Sequence, residues 1–297
     1  MVVPTRDRPQ LLRRAVAAIL GQSYQGPIEC LVVFDQSEPA LDWGGLPAGR
    51  SLQVITNQRT PGLAGARNSG ALAGTGELVA FCDDDDEWLP DKLSRQVEAL
   101  AAHPDLTVAT CGIVVRYGRR AVPRVSPDPI VGHRRLLRDR VTELHPSTVL
   151  VRRAELLDGI GLVDEAIPGS YAEDYEWLLR AARLAPILAV QEALVRVYWH
   201  RSSWFSDRWQ TIAAANRYLT DKHPEFHEEP RGLAKLYGKI AFAEAASGER
   251  GNARRWARRS LGLNRGEPRA WLALAVSLRL LGARTVVRAL NLAGRGI

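Results

Sequence analysis

Four consecutive aspartates, Asp83–Asp86, follow an apolar run in the first third of the chain. Residues 78–82 have the length and composition of a short buried strand. Neighbouring carboxylates repel one another, and partial burial at a strand end raises that cost. Water or a cation relieves the repulsion, and hard cations such as Mg²⁺ prefer carboxylate oxygens. The run is therefore either a metal site or a solvated acidic turn before the helix that starts at Pro90-Asp91.

The basic character of the chain is confined to its C-terminal part. The net charge is +7, but residues 250–297 contain eleven arginines and one acid, Glu267, so the preceding residues are slightly acidic. A basic segment of this kind indicates an anionic partner, such as a membrane surface or a polyanion. The alternative is a solvated, arginine-rich helix surface. The overall composition, 46% hydrophobic and 25% charged, is that of an ordinary globular protein.

Three cysteines, Cys30, Cys82 and Cys111, each fall within an apolar, strand-like run and form no C-x-x-C pair. This pattern predicts buried free thiols in a reducing compartment rather than disulfides or a zinc site. The N-terminus shows no charged and apolar leader, and Arg279 interrupts the best apolar stretch, residues 270–281. These features lead us to expect a cytoplasmic protein.

Strand and helix patterns alternate over the first two thirds of the chain, which predicts an α/β fold with a mainly parallel sheet and helices on both faces. A nearly all-apolar strand such as residues 28–34 is typical of burial on both faces. Residues 117–147 are rich in Arg and Pro and read as irregular. The predicted strands are 2–3, 28–34, 52–56, 78–82, 107–115 and 187–198; the predicted helices follow Arg8-Pro9 and cover 63–73, 89–102 and 171–184.

The pattern from about Asp207 onward is entirely helical. Helix pairs that combine small residues with Trp256 or Trp271 resemble tetratricopeptide hairpins. One or two such units are fewer than the three that an independent solenoid needs. We therefore expect residues 207–297 to form a helical appendage.

Five segments between residues 2 and 205 carry recognisable motifs in a fixed order. They are V-V-P-T-R-D-R-P from Val2, L-V-V-F-D-Q-S from Leu31, G-L-A-G-A-R-N-S-G from Gly62, F-C-D-D-D-D-E-W-L-P from Phe81 and A-E-D-Y-E-W-L-L-R from Ala172. Together they resemble the large inverting glycosyltransferase family with the GT-A fold, often called family 2. Each motif is weak alone, but five in register are a specific signal. The resemblance implies a GT-A domain over residues 1–206 that moves a sugar from a nucleotide-diphospho-sugar to an acceptor hydroxyl.

The resemblance also assigns the donor site. The last aspartate of the family's DxD motif, which binds Mg²⁺ or Mn²⁺, is Asp85 here, and Asp83 or Asp84 would contact the ribose. Asp35 matches the acid that recognises the base, but Phe34 replaces the acid that usually precedes it, so nucleobase selection can differ. The residues implied to bind the donor nucleotide are Pro4, Thr5, Asp35, Arg67, Asp83 and Asp84.

The catalytic base of the family matches the pair Glu173-Asp174. A carboxylate there would take the proton from the acceptor hydroxyl as it attacks the anomeric carbon. We assign the base to Asp174 with Glu173 in support, although acids at a helix start also complement the helix dipole. His200 lies in a stretch that closes on the donor diphosphate in the family; it is a candidate metal or phosphate contact, or a structural histidine.

Partners follow from the same resemblance. UDP-sugars are the commonest donors of the family, GDP- and dTDP-sugars are alternatives, and the acceptor is a glycan, a lipid-linked or a small molecule. Without a glycine-rich phosphate loop, other sugar-nucleotide enzymes are disfavoured. The alternatives are an inactive helical-repeat interaction protein and another sugar-nucleotide enzyme, and no nucleic acid partner is expected. Residues 284–297, with Arg284 and Arg288 on one face, form either a peripheral membrane contact or a helix packed on its neighbours.

Overall fold

All six strands that the sequence predicts are present in the computed structural model, which describes residues 1–118, 120–198 and 208–292. The chain divides into two units. The first contains Met1–Leu136, Arg140–Glu165 and the chain from Glu173 through the last strand. The second contains Leu137–Asp139, Ala166–Ala172 and the C-terminal helices.

An open α/β sheet organises the first unit. Strands β1, β2 and β3 are parallel neighbours, and a parallel bridge from Val2 to Phe81 continues this order to the end of β4. The order then runs β4-β9-β6-β10-β5, in which β6 and β10 are parallel and β9 and β5 are antiparallel to their neighbours. The strands are β1 Val2–Thr5, β2 Ile28–Phe34, β3 Arg50–Thr56, β4 Leu78–Ala80, β5 Glu87–Trp88, β6 Val108–Tyr117, β7 Arg120–Arg124, β8 Ile130–Val131, β9 Leu150–Arg152 and β10 Ile187–Tyr198.

Helices pack on opposite faces of β1 and β2. Val3 lies in a core cluster with Leu12 and Val16 of the first helix, whereas Val2 contacts the second helix at Gly70. Because successive strand residues point to opposite faces, these two helices cover different sides of the sheet. The helices of this part are α1 Pro9–Leu20, α2 Leu63–Ala73, α3 Lys92–Ala102, α4 His133–Arg138 and α5 Glu173–Leu184.

Gly70 explains how closely α2 approaches the sheet. A Cβ atom at this position would lie 2.3 Å from Cγ1 of Val2 and 3.0 Å from Cγ2 of Val33. Real Cβ atoms do not make contacts this short, so only glycine allows the helix to lie against β1 and β2. This close packing fixes the position of Arg67, one turn earlier on the same helix.

The second unit is a set of α-helices around a core of small side chains. The core includes Ala253, Ala257, Ala270 and Ala273, which allow the helices to pack closely. Val286 of the last helix is 6% exposed and belongs to the same core. The helices are α6 Trp209–Lys222, α7 Pro230–Ala246, α8 Arg250–Leu263, α9 Pro268–Ser277 and α10 Ala283–Leu292.

Two sequence expectations differ from the structure. Residues 117–147 are not wholly irregular, since β7, β8 and α4 lie there. The sheet also has more antiparallel pairs than expected, because β5, β7, β8 and β9 are two to five residues long and leave no periodicity to recognise. For α10, the burial of Val286 in the core of the second unit agrees with the expectation of a helix packed on its neighbours. Among the described residues, none of the helices has the length and apolarity needed to cross a membrane.

Candidate active site

Polar side chains gather where three parallel strands end. Thr5 is the last residue of β1, Asp35 directly follows β2, and Asp83 lies shortly after β4. The carboxyl ends of neighbouring parallel strands open onto one edge of a sheet, which is where α/β proteins bind ligands. The three cysteines, in contrast, are buried free thiols in the core, as predicted.

The acidic run is held by hydroxyl and guanidinium donors. Oδ2 of Asp84 accepts a hydrogen bond of 2.8 Å from Oγ1 of Thr5, and Nη1 of Arg8 lies 3.2 Å from its Oδ1. The same Arg8 atom lies 3.0 Å from Oδ2 of Asp85. Burial nevertheless raises the pKa of Asp84 to about 6, against the opposing effects of Thr5 and Arg8. Arg8 therefore relieves part of the repulsion that the sequence predicts.

Ser147 fixes the far end of the acidic run. Its Oγ donates to Oδ2 of Asp86 over 2.5 Å and accepts from the backbone N–H of Asp83 over 3.0 Å. Nδ1 of His145 lies 3.4 Å from the same Asp86 oxygen. Burial, together with the charges of Asp83 and Asp85, raises the pKa of Asp86 well above its usual value. One ligand atom each of Asp83, Asp86 and His145 fall within 4.8 Å of one another, a spacing that could hold a metal ion.

Arg67 joins the acidic run to the start of α5. This buried guanidinium donates to Oδ1 of Asp83 over 2.6 Å and also to Oε1 of Glu173. Burial alone would lower the pKa of Arg67, but the charges of Asp83, Glu173 and Asp174 raise it, so it stays cationic. A buried cation needs such partners, because an unpaired charge in the interior is very costly.

Glu173 and Asp174 lie side by side, but their pKa values shift in opposite directions. Burial raises the pKa of Glu173 to about 7, and the Asp174 charge adds to this effect while Arg67 opposes it. Burial acts in the same sense on Asp174, but the charges of Arg140, Arg67 and His145 bring its pKa below the usual value. Nη2 of Arg140 lies 2.5 Å from Oδ2 of Asp174. Near neutral pH, Asp174 is therefore ionised while Glu173 retains its proton for part of the time.

Asp35 borders a separate cavity at the end of β2. Its Oδ1 accepts a hydrogen bond of 2.8 Å from the Asn57 amide, and its Oδ2 accepts one of 3.0 Å from the backbone N–H of Gly62. Gly62 has a φ of 122°, which an L-side chain rarely adopts. The cavity has a volume of about 450 Å³ and is lined by Asp35, Gln36, Ser37, Glu38, Thr56, Asn57, Arg59 and Pro61.

The predicted residues thus fall into two groups in the structure. Thr5, Arg67, Asp83, Asp84 and Glu173 are joined by the contacts above, with Asp85 and Asp174 next to them in the chain. Pro4 is a buried β1 residue, paired with Val33 of β2, and Asp35 lines the cavity. His200 lies outside the described residues.

Sequence reasoning assigned no role to five residues of the site: Arg8, Asp86, Arg140, His145 and Ser147. Arg8 stands inside the first motif, so its position beside the motif threonine was an available signal. Arg140 and His145 belong to the stretch interpreted as irregular. The only local signal was His145-Pro146 ahead of a short apolar run, which became β9.

The sheet, its flanking helices and the acidic site at the carboxyl edge define a GT-A-type α/β protein. A family model described as glycosyl transferase family 2 matches residues 1–157. The chain therefore belongs to glycosyl transferase family 2.

Several known proteins resemble this chain in sequence or in fold. The chain is 29% identical over 101 residues to the Escherichia coli UDP-Glc:α-D-GlcNAc-diphosphoundecaprenol β-1,3-glucosyltransferase WfgD, a match over 34% of this chain and 40% of WfgD. Across three curated relatives, the chain spans 28%, 40% and 62% of the relative's own length.

Two solved structures share the fold at low sequence identity. S. aureus TarS 1–349 in complex with UDP-GlcNAc has a TM-score of 0.62 at 16% identity, covering 94% of this chain and 90% of that one. Mannosyltransferase PcManGT from Pyrobaculum calidifontis, in complex with GDP-Man and Mn²⁺, has a TM-score of 0.53 at 19% identity, covering 96% and 81%.

Proposed function

We propose that this chain is a metal-dependent, inverting glycosyltransferase that moves a sugar from a nucleotide-diphospho-sugar to an acceptor hydroxyl. The observation that carries the proposal is the Glu173-Asp174 pair, whose pKa values are driven apart beside the acidic run. Two neighbouring carboxyl groups held in different protonation states are typical of an acid–base site. Family membership gives the reaction class in which such a site operates.

The proposed chemistry is a single displacement. Asp174, which is ionised, takes the proton from the acceptor hydroxyl while that oxygen forms a bond to the anomeric carbon. The bond from the anomeric carbon to the donor diphosphate breaks in the same step, so the sugar inverts its configuration. Glu173, which is protonated for part of the time near pH 7, accepts a hydrogen bond from Arg67 and keeps it in place. Arg140 orients the Asp174 carboxylate and keeps it ionised.

The donor in this proposal is a UDP-sugar. Support comes from TarS, which was solved with UDP-GlcNAc, and from WfgD, whose name specifies UDP-Glc. The cavity beside Asp35 would take the base. Oδ1 of Asp35 has one described donor, Asn57, and a carboxylate oxygen can accept a second hydrogen bond from a base N–H. GDP- and dTDP-sugars are the competing donors.

A divalent cation fits the residues at the acidic run. Asp85 is the metal ligand that the DxD motif assigns, and Asp83, Asp86 and His145 form a second set of oxygen and nitrogen ligands. Burial lowers the pKa of His145, against the charges of Asp83 and Asp174, and a neutral imidazole can bind a metal. Mg²⁺ or Mn²⁺ bound there would neutralise charge on the donor diphosphate. PcManGT was solved with Mn²⁺.

The two parts of the chain have different roles in this proposal. Residues 1–206 form the transferase domain, and residues 207–297 form a helical appendage built from tetratricopeptide-like hairpins. The acceptor is a hydroxyl of a glycan, a lipid-linked molecule or a small molecule; WfgD, which is named for a diphosphoundecaprenol-linked acceptor, supports the lipid-linked form. His200 stays a predicted metal or phosphate contact.

A thermal-stability screen tests the proposal. UDP, GDP and dTDP, each with and without Mn²⁺, are added to the purified chain, because a ligand that binds only the folded state raises its melting temperature. We expect the largest rise with UDP and Mn²⁺ together, and loss of that rise in Asp85→Ala. The matched control is Asp105→Ala, which alters an exposed aspartate outside the site. Absence of stabilisation by every nucleotide would refute donor binding.

A further inference from the structure

An exposed leucine cluster lies in the turn between α9 and α10. We call Leu278–Leu281 the leucine turn. Leu278 is 54% exposed, Leu280 73% and Leu281 45%. Trp271 of α9 is also exposed and lies seven residues, about two helical turns, before Leu278, which directly follows the helix; this spacing places the two on the same side. Single exposed leucines are ordinary, but three within four residues form an apolar patch that normally has a partner.

The charge around the leucine turn is positive. Arg279 lies within the turn, and Arg284 and Arg288 follow on α10; all three are exposed. Between residues 250 and 292 there are ten arginines and one carboxylate, Glu267, which is 2% exposed. Within that described stretch, no side-chain carboxylate reaches the surface to offset the arginines. An anionic partner is therefore favoured over a neutral or basic one.

We propose that the leucine turn inserts into an anionic lipid bilayer while Arg279, Arg284 and Arg288 contact its headgroups. A soluble polyanion would use the arginines but would leave the leucines in water. A bilayer satisfies both, since it offers an acyl region directly beneath a negatively charged surface. The contact lies in the turn, because the apolar residue Val286 of α10 is already buried in the helical core. This inference does not depend on catalytic activity.

Vesicle co-sedimentation of the full chain tests the proposal. We expect binding to vesicles that contain phosphatidylglycerol, weaker binding to phosphatidylcholine alone, and weakening by salt. The double variant Leu280→Asp with Leu281→Asp should lose about tenfold or more in vesicle partitioning, because full burial of even one leucine is worth about a factor of ten. The control is Leu184→Asp, which changes an equally exposed leucine at the end of α5 and should bind like the wild type.

Three outcomes would overturn the proposal. The first is no binding of the wild type to anionic vesicles at low salt. The second is full binding by the leucine double variant while a variant with Arg279, Arg284 and Arg288 all changed to Gln fails to bind, which would indicate a purely electrostatic surface. The third is a wild-type dimer in sedimentation velocity that the double variant converts to monomer, which would assign the leucine turn to self-association. Unchanged melting temperatures of the variants exclude misfolding as the cause.

Discussion

Replacing Glu173 by glutamine removes a titrating proton while keeping the shape of the side chain. Burial raises the pKa of Glu173 from 4.5 to about 7. A group whose pKa is raised by folding contributes its stability fully below the unfolded value, and that contribution is lost as the pH rises through about 7. The difference between the two pKa values corresponds to about 3 kcal/mol of unfolding free energy at most. Glu173→Gln should therefore match the wild type near pH 4 and exceed it above neutral pH.

Replacing Glu173 and replacing Asp174 should have different effects on catalysis. Because Glu173 is not the proposed base, Glu173→Gln should keep turnover within a few-fold of wild type near pH 7, and its amide oxygen can still accept from Arg67. Asp174→Asn should lower kcat by roughly 10² or more, the scale of a lost general base. Urea unfolding across the pH range measures the change in stability, and nucleotide release from the donor measures the change in turnover. Asp105→Asn is the control in both assays.

Two results would refute this reasoning. An inactive Glu173→Gln beside an active Asp174→Asn would exchange the assigned roles. An unfolding free energy for Glu173→Gln that differs from wild type by the same amount at every pH would show that Glu173 does not titrate near neutral pH.

Further predictions concern the surroundings of the site and the core. Arg140→Gln should raise the pKa of Asp174, so the acidic limb of the pH dependence of kcat/KM moves to higher pH; an unmoved limb would contradict the role of Arg140. Lys92 is fully buried and its pKa is lowered from 10.5 to about 8 by burial. Lys92→Met should stabilise the protein near pH 7 by about 1–3 kcal/mol, after allowance for a cation–π contact with a neighbouring indole ring. This gain in unfolding free energy should vanish above the pKa of Lys92 in the unfolded chain, 10.5. An equal gain near pH 7 and pH 11 in urea unfolding would contradict a buried Lys92 charge as its cause. Gly70→Ala should cost about 1–3 kcal/mol in urea unfolding through overpacking, whereas Gly251→Ala, with open space around it on α8, should cost nothing; equal effects of the two would contradict the close packing of α2.

Some elements of the fold could be predicted from the sequence because their signals are local. The apolar run of β2 and the small-residue helix α2 have the predicted bounds, as does β10. Each is long enough for its composition to define it, and Gly62 and Gly74 mark the two ends of α2. The motifs also predicted Thr5, Asp84, Arg67 and Glu173 as site residues, and in the structure Thr5 contacts Asp84 while Arg67 contacts Glu173.

Other features depend on contacts between distant segments. Strands β5 and β9 exist because longer neighbours pair with them, so their two or three residues carry no pattern of their own. The partners Arg140 and His145 come from residues 117–147, the stretch interpreted as irregular, and only the folded chain brings them to Asp174 and Asp86. The motif assigns the metal to Asp85, while the geometry adds a second group around Asp86 that no linear spacing indicates.

The stereochemistry of donor turnover tests the central proposal most directly. With water as the acceptor, the chain and Mn²⁺ should slowly release sugar from a UDP-α-linked donor, and NMR at early times identifies the anomer before it equilibrates. A single displacement assisted by Asp174 predicts that the β-anomer appears first and that Asp174→Asn abolishes its formation. Early appearance of the α-anomer, or unchanged release by Asp174→Asn, would contradict the proposed mechanism.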